Sequence, residues 1–219
     1  MVQKSKLLDK GFLLAIHSSA NEFGAGIINL EDKQKLPLYK IEKNTKRLSN
    51  ELISFLDKLI PIHSWKSIQR IAISIGPGGG FTSTRLSIIF ARTIAHQVNC
   101  PIDTASNFEL IAKRFLLENK ISKINNYFWI IKPNKRKGII AGKYQLVPDE
   151  INNTEKTVLE IAKPKLFNDD LGLKPNYLAN DNTIKDLKEL LKIALERHLY
   201  GSDNPWHQVL PIYPYSPVN

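Results

Sequence analysis

The stretch SIGPGGGFTSTRLS (residues 74–87) constrains the fold more than any other part of this chain. Four glycines and a proline separate an apolar run, RIAISI (70–75), from a segment with helical periodicity. Apolar residues recur every three or four positions after the loop, which predicts a helix from Thr84 to about Val98. A buried strand, a glycine turn and a helix in succession are typical of layered α/β folds.

Two interpretations of this loop remain open from residue chemistry alone. Backbone N–H groups at a helix N-terminus can hold an anion, and Thr82, Ser83 and Thr84 are candidate N-caps. Alternatively, the glycines only supply positive φ for a tight turn. Phe81 stands where a Walker A lysine or the third glycine of a dinucleotide motif would be, so neither motif fits. The loop comprises Gly76, Pro77, Gly78, Gly79, Gly80, Phe81 and Thr82.

The order of the other elements predicts an α/β fold built on an RNase H-like layer, with strands first and strand–helix alternation afterwards. The motif SNFE (106–109) is a capping box that opens a helix to about Leu117. A clear late helix runs from Thr183 to a stop at Gly201, whereas no firm element is predicted for 148–182. The remaining predicted elements are strands at 12–16, 23–30 and 35–41, a helix at 45–60, a strand at 70–75 and a hairpin at 126–146.

Charge is concentrated in one part of the chain, whose net charge is +10 over 219 residues. Between Lys113 and Lys143 there are nine Lys or Arg residues and one acid. Aromatic residues such as Tyr127 and Trp129 interleave with them, which would suit RNA contact. A solvated hairpin turn bearing Lys135, Arg136 and Lys137 is the simpler interpretation, and we favour it.

Several reaction classes find no residues to support them. The five histidines include no pair at metal-binding spacing, and no serine lies in a Gly-x-Ser-x-Gly motif. The single cysteine, Cys100, is interpreted as a packed thiol. We therefore predict no metal, no cofactor and no catalytic residue. The longest N-terminal apolar run is too short for a membrane span, so a soluble intracellular protein is expected.

The segment GPGGGFTSTRLSIIFARTIAHQVNCPIDTASNFELIA (76–112) resembles the signature of the TsaB family, also called YeaZ and often labelled glycoprotease- or peptidase-like. FLLAIHSSA (12–20), NKRKGIIAGKY (134–144) and LPIYPY (210–215) agree with other family motifs, and the likeness covers roughly residues 12–145. The matched positions are Gly76, Pro77, Gly78, Phe81, Thr82 and Arg85, with one residue inserted, together with Ser106 and Glu109.

The resemblance implies an actin-like ATPase (ASKHA) fold of two RNase H-like lobes, the second reduced, here 1–105 and 106–219. It implies a non-catalytic activator of TsaD, which places the threonylcarbamoyl group on adenosine 37 (t6A) of tRNAs that read ANN codons. TsaD is the expected heterodimer partner, TsaE completes the complex, and tRNA is reached indirectly through it. A homodimer remains open when TsaD is absent. The expected compartment is the cytoplasm.

One departure from the family bears on nucleotide binding. His17 replaces the acidic residue that follows the first strand in actin-like ATPases. A neutral imidazole is a poor ligand for Mg²⁺, which prefers oxygen. Ser83, Asn134 and Tyr215 also depart from the family residues. We therefore expect the scaffold to be retained and nucleotide binding to be weakened.

We interpret helices 45–60 and 84–98 as the docking face for TsaD. The second of these is apolar nearly all round, which exceeds what one buried face needs. Complete burial within one chain is the alternative. The candidate interface residues are Leu48, Leu52, Phe55, Arg85, Ile88, Ile89, Phe90 and Arg92.

Three other functions remain as alternatives. An actin-like ATPase or kinase would bind nucleotide at the glycine loop, although the carboxylate expected near His17 is missing. A peptidase has no nucleophile–base pair to support it. An RNA-binding module would use Lys135, Arg136 and Lys137, and its affinity for tRNA would fall steeply with salt.

Overall fold

The computed structural model describes residues 10–19, 22–32, 34, 36–43, 48–78, 80–121, 127–134, 138–149 and 156–215, and these divide into two compact units. The first unit comprises the described parts of Met1–Ile75, Gly79–Ala105 and Asn182–Pro211. The second comprises the described parts of Gly76–Gly78, Ser106–Asp181 and Ile212–Asn219. The predicted boundary at 105/106 therefore assigned the late helix to the wrong lobe.

Nine strands and four α-helices make up the regular structure of the described residues. The first unit has a five-stranded sheet in the order β3-β2-β1-β4-β5, and the second a four-stranded sheet in the order β8-β7-β6-β9. The strands are β1 Phe12–Ser18, β2 Phe23–Asn29, β3 Leu38–Glu42, β4 Ile68–Ser74, β5 Ile102–Ala105, β6 Tyr127–Asn134, β7 Gly138–Val147, β8 Thr157–Phe167 and β9 Asn176–Leu178. The helices are α1 Leu48–Asp57, α2 Phe81–Val98, α3 Asn107–Leu117 and α4 Thr183–Tyr200, with 3₁₀ turns at Ile62–Ser67 and Trp206–Gln208.

The two sheets share one strand arrangement. In the first, β1 pairs antiparallel with β2, β2 pairs antiparallel with β3, and β4 lies parallel on the other side of β1. In the second, β6, β7 and β8 form the antiparallel part, and β9 lies parallel to β6. The second sheet thus repeats the first, without a fifth strand among the described residues. This confirms the predicted α/β class with a reduced second lobe.

Helix α4 covers the first sheet at very close range because two glycines in β2 lack side chains. A Cβ at Gly24 would lie 2.7 Å from Thr183 Cγ2, and one at Gly26 would lie 3.1 Å from Leu191 Cδ1. Leu187 and Leu190 are fully buried in the same contact. The small residues of FGAGIINL therefore allow the helix to pack closely on the sheet.

A buried ion pair ties the segment after α4 to the edge of the first sheet. Arg70 Nη1 donates to both carboxylate oxygens of Asp103 at 3.1 Å. Its other terminal nitrogen donates to the carbonyl oxygen of Ser202. Asn204 Nδ2 also donates to Asp103 Oδ1 at 2.5 Å, and the Ile102 N–H donates to the Asn204 carbonyl oxygen at 2.9 Å. The edge strand β5 is thereby covered by the chain's own backbone.

In the second unit, α3 packs on one face of the four-stranded sheet. The core between them includes Phe108, Phe115, Phe128 and Tyr144, each at most 4% exposed. Strands β8 and β9 lie in the region for which no element was predicted. Across the described part of the chain, no helix has both the length and the apolar character that a membrane span requires.

Candidate functional site

The glycine loop is held by a side chain that lies far along the sequence. The Gly76 N–H donates to Asn107 Oδ1 at 3.0 Å, and the Asn107 N–H donates back to the Gly76 carbonyl oxygen at 3.0 Å. Gly76 and Gly78 have φ values of 87° and 147°, and the Gly76–Pro77 peptide is cis. A Cβ at Gly78 would lie 2.8 Å from Asn107 Nδ2. Positive φ and close packing therefore account for two glycines, and the Gly76 N–H is already occupied.

The start of α2 differs from the sequence prediction. The N-cap is Gly80, which provides no side-chain hydrogen bond, and Phe81 is the first helical residue. Thr82, Ser83 and Thr84, the predicted caps, lie inside the first turn, where the Ser83 hydroxyl donates to the Gly80 carbonyl oxygen at 2.9 Å. The prediction was wrong because glycine can cap by geometry alone. Gly79 lies outside the described residues, as does Thr45 of the predicted first helix.

An apolar groove of about 360 Å³ runs between α1, the 3₁₀ turn Ile62–Ser67 and α2. We call it the helix groove, and its apolar lining includes Leu52, Ile53, Trp65, Leu86, Ile89 and Phe90. Ile53 and Ile89 are 58% and 59% exposed, although both are large aliphatic residues. Trp65 and Phe90 pack edge to face, with ring centroids 6.1 Å apart.

The structure divides the predicted interface residues into two sets. Ile89 and Phe90 lie at the helix groove, Arg85 is exposed, and the Arg92 guanidinium lies 5.7 Å from the centre of the Trp206 ring. The other four residues are buried inside the chain, so their assignment to an exposed docking surface was wrong. They are Leu48, Leu52, Phe55 and Ile88, at 4%, 4%, 5% and 2% exposure. Of these four, Leu52 still reaches the groove.

His17 lies at the end of β1, where an actin-like ATPase would need a carboxylate. It is 1% exposed, and its Nε2 is 3.6 Å from Oδ2 of Asp186 in the first turn of α4. Sequence reasoning missed Asp186, because the two residues are 169 positions apart in the chain. Within the described residues, no group of three or more His, Cys, Asp or Glu side chains is placed to hold a metal ion.

A buried polar cluster in the second unit centres on Ser106, whose hydroxyl donates to Glu160 Oε1 at 2.7 Å. Tyr144 donates to the same oxygen at 3.1 Å, and Ser106 Oγ accepts the Glu109 N–H at 2.9 Å, as the capping box predicted. Burial and the Glu160 charge raise the pKa of the Tyr144 hydroxyl well above its ordinary value. Tyr144 and Glu160 were not predicted, although they lie opposite each other on β7 and β8. The cluster therefore caps the N-terminus of α3 and joins it to β7 and β8.

Glu109→Gln is expected to gain stability relative to the wild type as the pH rises from 4 to 7. Burial, and then the Glu160 charge, raise the pKa of Glu109 above its ordinary 4.5, against the lowering effect of Lys113. The native state therefore holds this proton to higher pH than the unfolded state, and its stabilising contribution disappears as the pH rises through the native pKa. Urea unfolding of both proteins at the two pH values measures the difference, with Glu196→Gln in α4 as the control. Equal changes for the two variants would contradict the prediction.

The three basic residues predicted to form the hairpin turn lie in a part of the chain that the structure does not describe. Lys135, Arg136 and Lys137 lie outside the described residues, between β6 and β7. The hairpin that carries them is confirmed, with Asn134 opposite Gly138.

Comparisons with known proteins agree with this architecture. Neither a protein-family model nor a curated protein sequence matches the chain. Among solved structures, an uncharacterized Pseudomonas aeruginosa protein with similarity to the peptidase YeaZ is similar over 94% of this chain and 100% of its own, at 16% identity and a TM-score of 0.67. YeaZ from Pseudomonas aeruginosa is similar over 93% and 99%, at 18% identity and a TM-score of 0.62.

These likenesses show the fold of the chain. It is the α/β fold of the YeaZ (TsaB) structures, over nearly the whole length of the chain. The fold expected from the glycine-loop motif is thus confirmed.

Proposed function

We propose that this chain is a non-catalytic partner of TsaD in the formation of t6A on tRNA, acting in the cytoplasm. The observation that carries the proposal is the helix groove, an exposed apolar surface on a chain with the YeaZ fold. Large exposed apolar patches mark interaction sites, because isolated proteins rarely leave them uncovered. TsaD would cover this groove, and TsaE would join the resulting pair.

Two contacts favour a role as a partner protein over a role in nucleotide binding or hydrolysis. Asn107 occupies the Gly76 N–H that an anion would otherwise use. His17 fills the position of the expected metal-binding carboxylate and is buried beside Asp186. We infer that the loop positions α2 and with it one wall of the helix groove.

Ile89→Glu is expected to weaken binding to TsaD at least about thirty-fold, since it would bury an unpaired carboxylate at the centre of the contact. Ile53→Glu, on the opposite wall of the groove, should act in the same direction. Both side chains are exposed, so both variants should fold. Ile88→Glu is unsuitable because Ile88 is buried within the chain. Affinity measured by calorimetry, followed by a threonylcarbamoylation assay with TsaD and TsaE, tests the prediction.

The matched control is Ile184→Glu, the same substitution at an exposed isoleucine of α4, away from the groove. It should bind TsaD like the wild type and support t6A formation. Wild-type affinity for the Ile89 and Ile53 variants would reject the groove as the docking face. Full t6A formation in the absence of this chain would reject the function itself.

A further inference from the structure

We propose that the outer face of the four-stranded sheet binds single-stranded nucleic acid by stacking bases on Tyr127 and pairing phosphates with Lys143. This activity goes beyond the proposed docking to TsaD and uses different residues. We call this surface the sheet platform and define it by Tyr127, Trp129, Lys143, Gln145 and Leu159. Helix α3 covers only the opposite face of the sheet, through Phe128 and Tyr144.

The register of the strands puts these residues side by side. Tyr127 in β6 lies opposite Gln145 in β7, and Gln145 lies opposite Leu159 in β8. Two residues further along β6, Trp129 lies opposite Lys143 on the same face of the sheet. Because side chains alternate between the faces of a sheet, all of them project away from α3.

Large apolar side chains on this face of the sheet are exposed to solvent, unlike those on the face that packs against α3. Tyr127 is 47% exposed and Leu159 is 49% exposed, although neighbouring inward residues of the same strands are buried. Among the described residues, Leu173 packs against Ile131 and Ala141 and covers one end of the face. The rest of the face exposes Tyr127 and Leu159 to solvent, with Trp129, Lys143 and Gln145 half-buried between them.

Charge decides what such a surface would bind. The Lys143 ammonium lies 4.3 Å from the centre of the Tyr127 ring and 5.7 Å from that of Trp129. Lys165 in β8 is exposed and lies opposite Ala141 of β7, and Lys163 in the same strand is also exposed. None of the outward strand positions in the described part of this sheet carries Asp or Glu. An aromatic surface with cations and no anions is complementary to a polyanion that also presents flat bases.

The contacts suggest how a strand would be held. A base stacking on Tyr127 would displace the Lys143 ammonium from the ring face, and the ammonium would then pair with the flanking phosphate. Duplexes present their bases to one another, so only a single strand can use the ring. RNA and DNA share this chemistry, and the experiment compares them.

The test measures anisotropy of fluorescein-labelled oligouridylate and oligothymidylate of about 12 nucleotides, with the full chain at about 50–200 mM salt. Tyr127→Ala should weaken binding about ten-fold, and Tyr127→Phe should stay within about two-fold of wild type, because the ring is retained. Lys143→Glu should weaken binding and reduce the salt slope by about 0.7, the contribution of one phosphate contact. Stronger binding of oligouridylate would identify RNA as the ligand, and stronger binding of oligothymidylate would identify DNA.

Lys188→Glu on α4 is the matched control, since it makes the same charge change at an exposed lysine outside the platform. It should bind like the wild type. Equal weakening by Lys188→Glu and Lys143→Glu would overturn the proposal, because binding would then depend only on net charge. Equal affinity for a duplex of the same length, or unchanged binding by Tyr127→Ala, would overturn it as well. The assay contains no TsaD, so its result is independent of the proposed docking function.

Discussion

Replacing Asp103 with alanine is expected to lower the free energy of unfolding by about 3–5 kcal/mol. The substitution leaves the Arg70 guanidinium buried without its carboxylate, and both side chains are at most 4% exposed. The hydrogen bond from Asn204 is lost at the same time. Burial raises the pKa of the Asp103 carboxyl group, while Arg70 and Asn204 oppose this effect. Urea unfolding monitored by circular dichroism measures the loss.

Two controls separate the buried pair from ion pairs in general. Glu196→Ala removes the more exposed pair with Lys192 on α4 and should cost at most about 0.5 kcal/mol. The double variant Arg70→Met/Asp103→Leu should recover most of the stability lost in Asp103→Ala, because no unpaired charge remains buried. A cost below about 1 kcal/mol for Asp103→Ala would show that water reaches Arg70 and that the pair does not secure the edge of the first sheet.

Cys100 is expected to react with iodoacetamide about a thousand-fold more slowly than a free cysteine at the same pH. Burial raises the pKa of its thiol from 9.0 to about 12, with Arg70 lowering and Asp103 raising it to smaller extents. Only the thiolate is nucleophilic, so the rate follows the ionised fraction. The chain has a single cysteine, so incorporation of one label measured by mass spectrometry reports this site alone.

The two experiments are linked through the same residues. Asp103→Ala should accelerate the labelling of Cys100, because it removes a charge that raises the thiol pKa and loosens the adjacent strand edge. Labelling of the wild type in urea provides the unprotected rate. A native wild-type rate equal to that rate would contradict the buried position of Cys100.

Features set by local rules were predictable from the sequence. The capping box at Ser106 and the Gly201 stop of α4 depend on neighbours within four residues, and both are as expected. The order of strands and helices around the glycine loop was sufficient to predict an RNase H-like layer. The loop's chemistry was not predictable, because the side chain that engages it, Asn107, belongs to the start of another helix.

Features set by tertiary packing were missed. Strand β8 contains Pro164 between Lys163 and Lys165, which obscure its alternation, and it tolerates the proline because it lies at a sheet edge. Strand β9 has only three residues, too few to show a period. On α2 the predicted docking face included both Ile88 and Ile89. Ile89 is exposed, whereas Ile88, one position and about 100° away round the helix, is buried. When a helix has apolar residues on two sides, its sequence does not show which side packs against the rest of the chain and which side remains exposed.

The close contact of α4 with Gly24 and Gly26 has a consequence for the order of events on the ribosome. The first sheet can be completed through β5 at Ala105, yet the helix that seals it begins at Thr183. At about 5–20 residues per second, translation of the intervening second unit takes roughly 4–15 s. During that interval the nascent chain lacks the helix that covers one apolar face of the sheet, and that face is then a target for holdase chaperones and for aggregation.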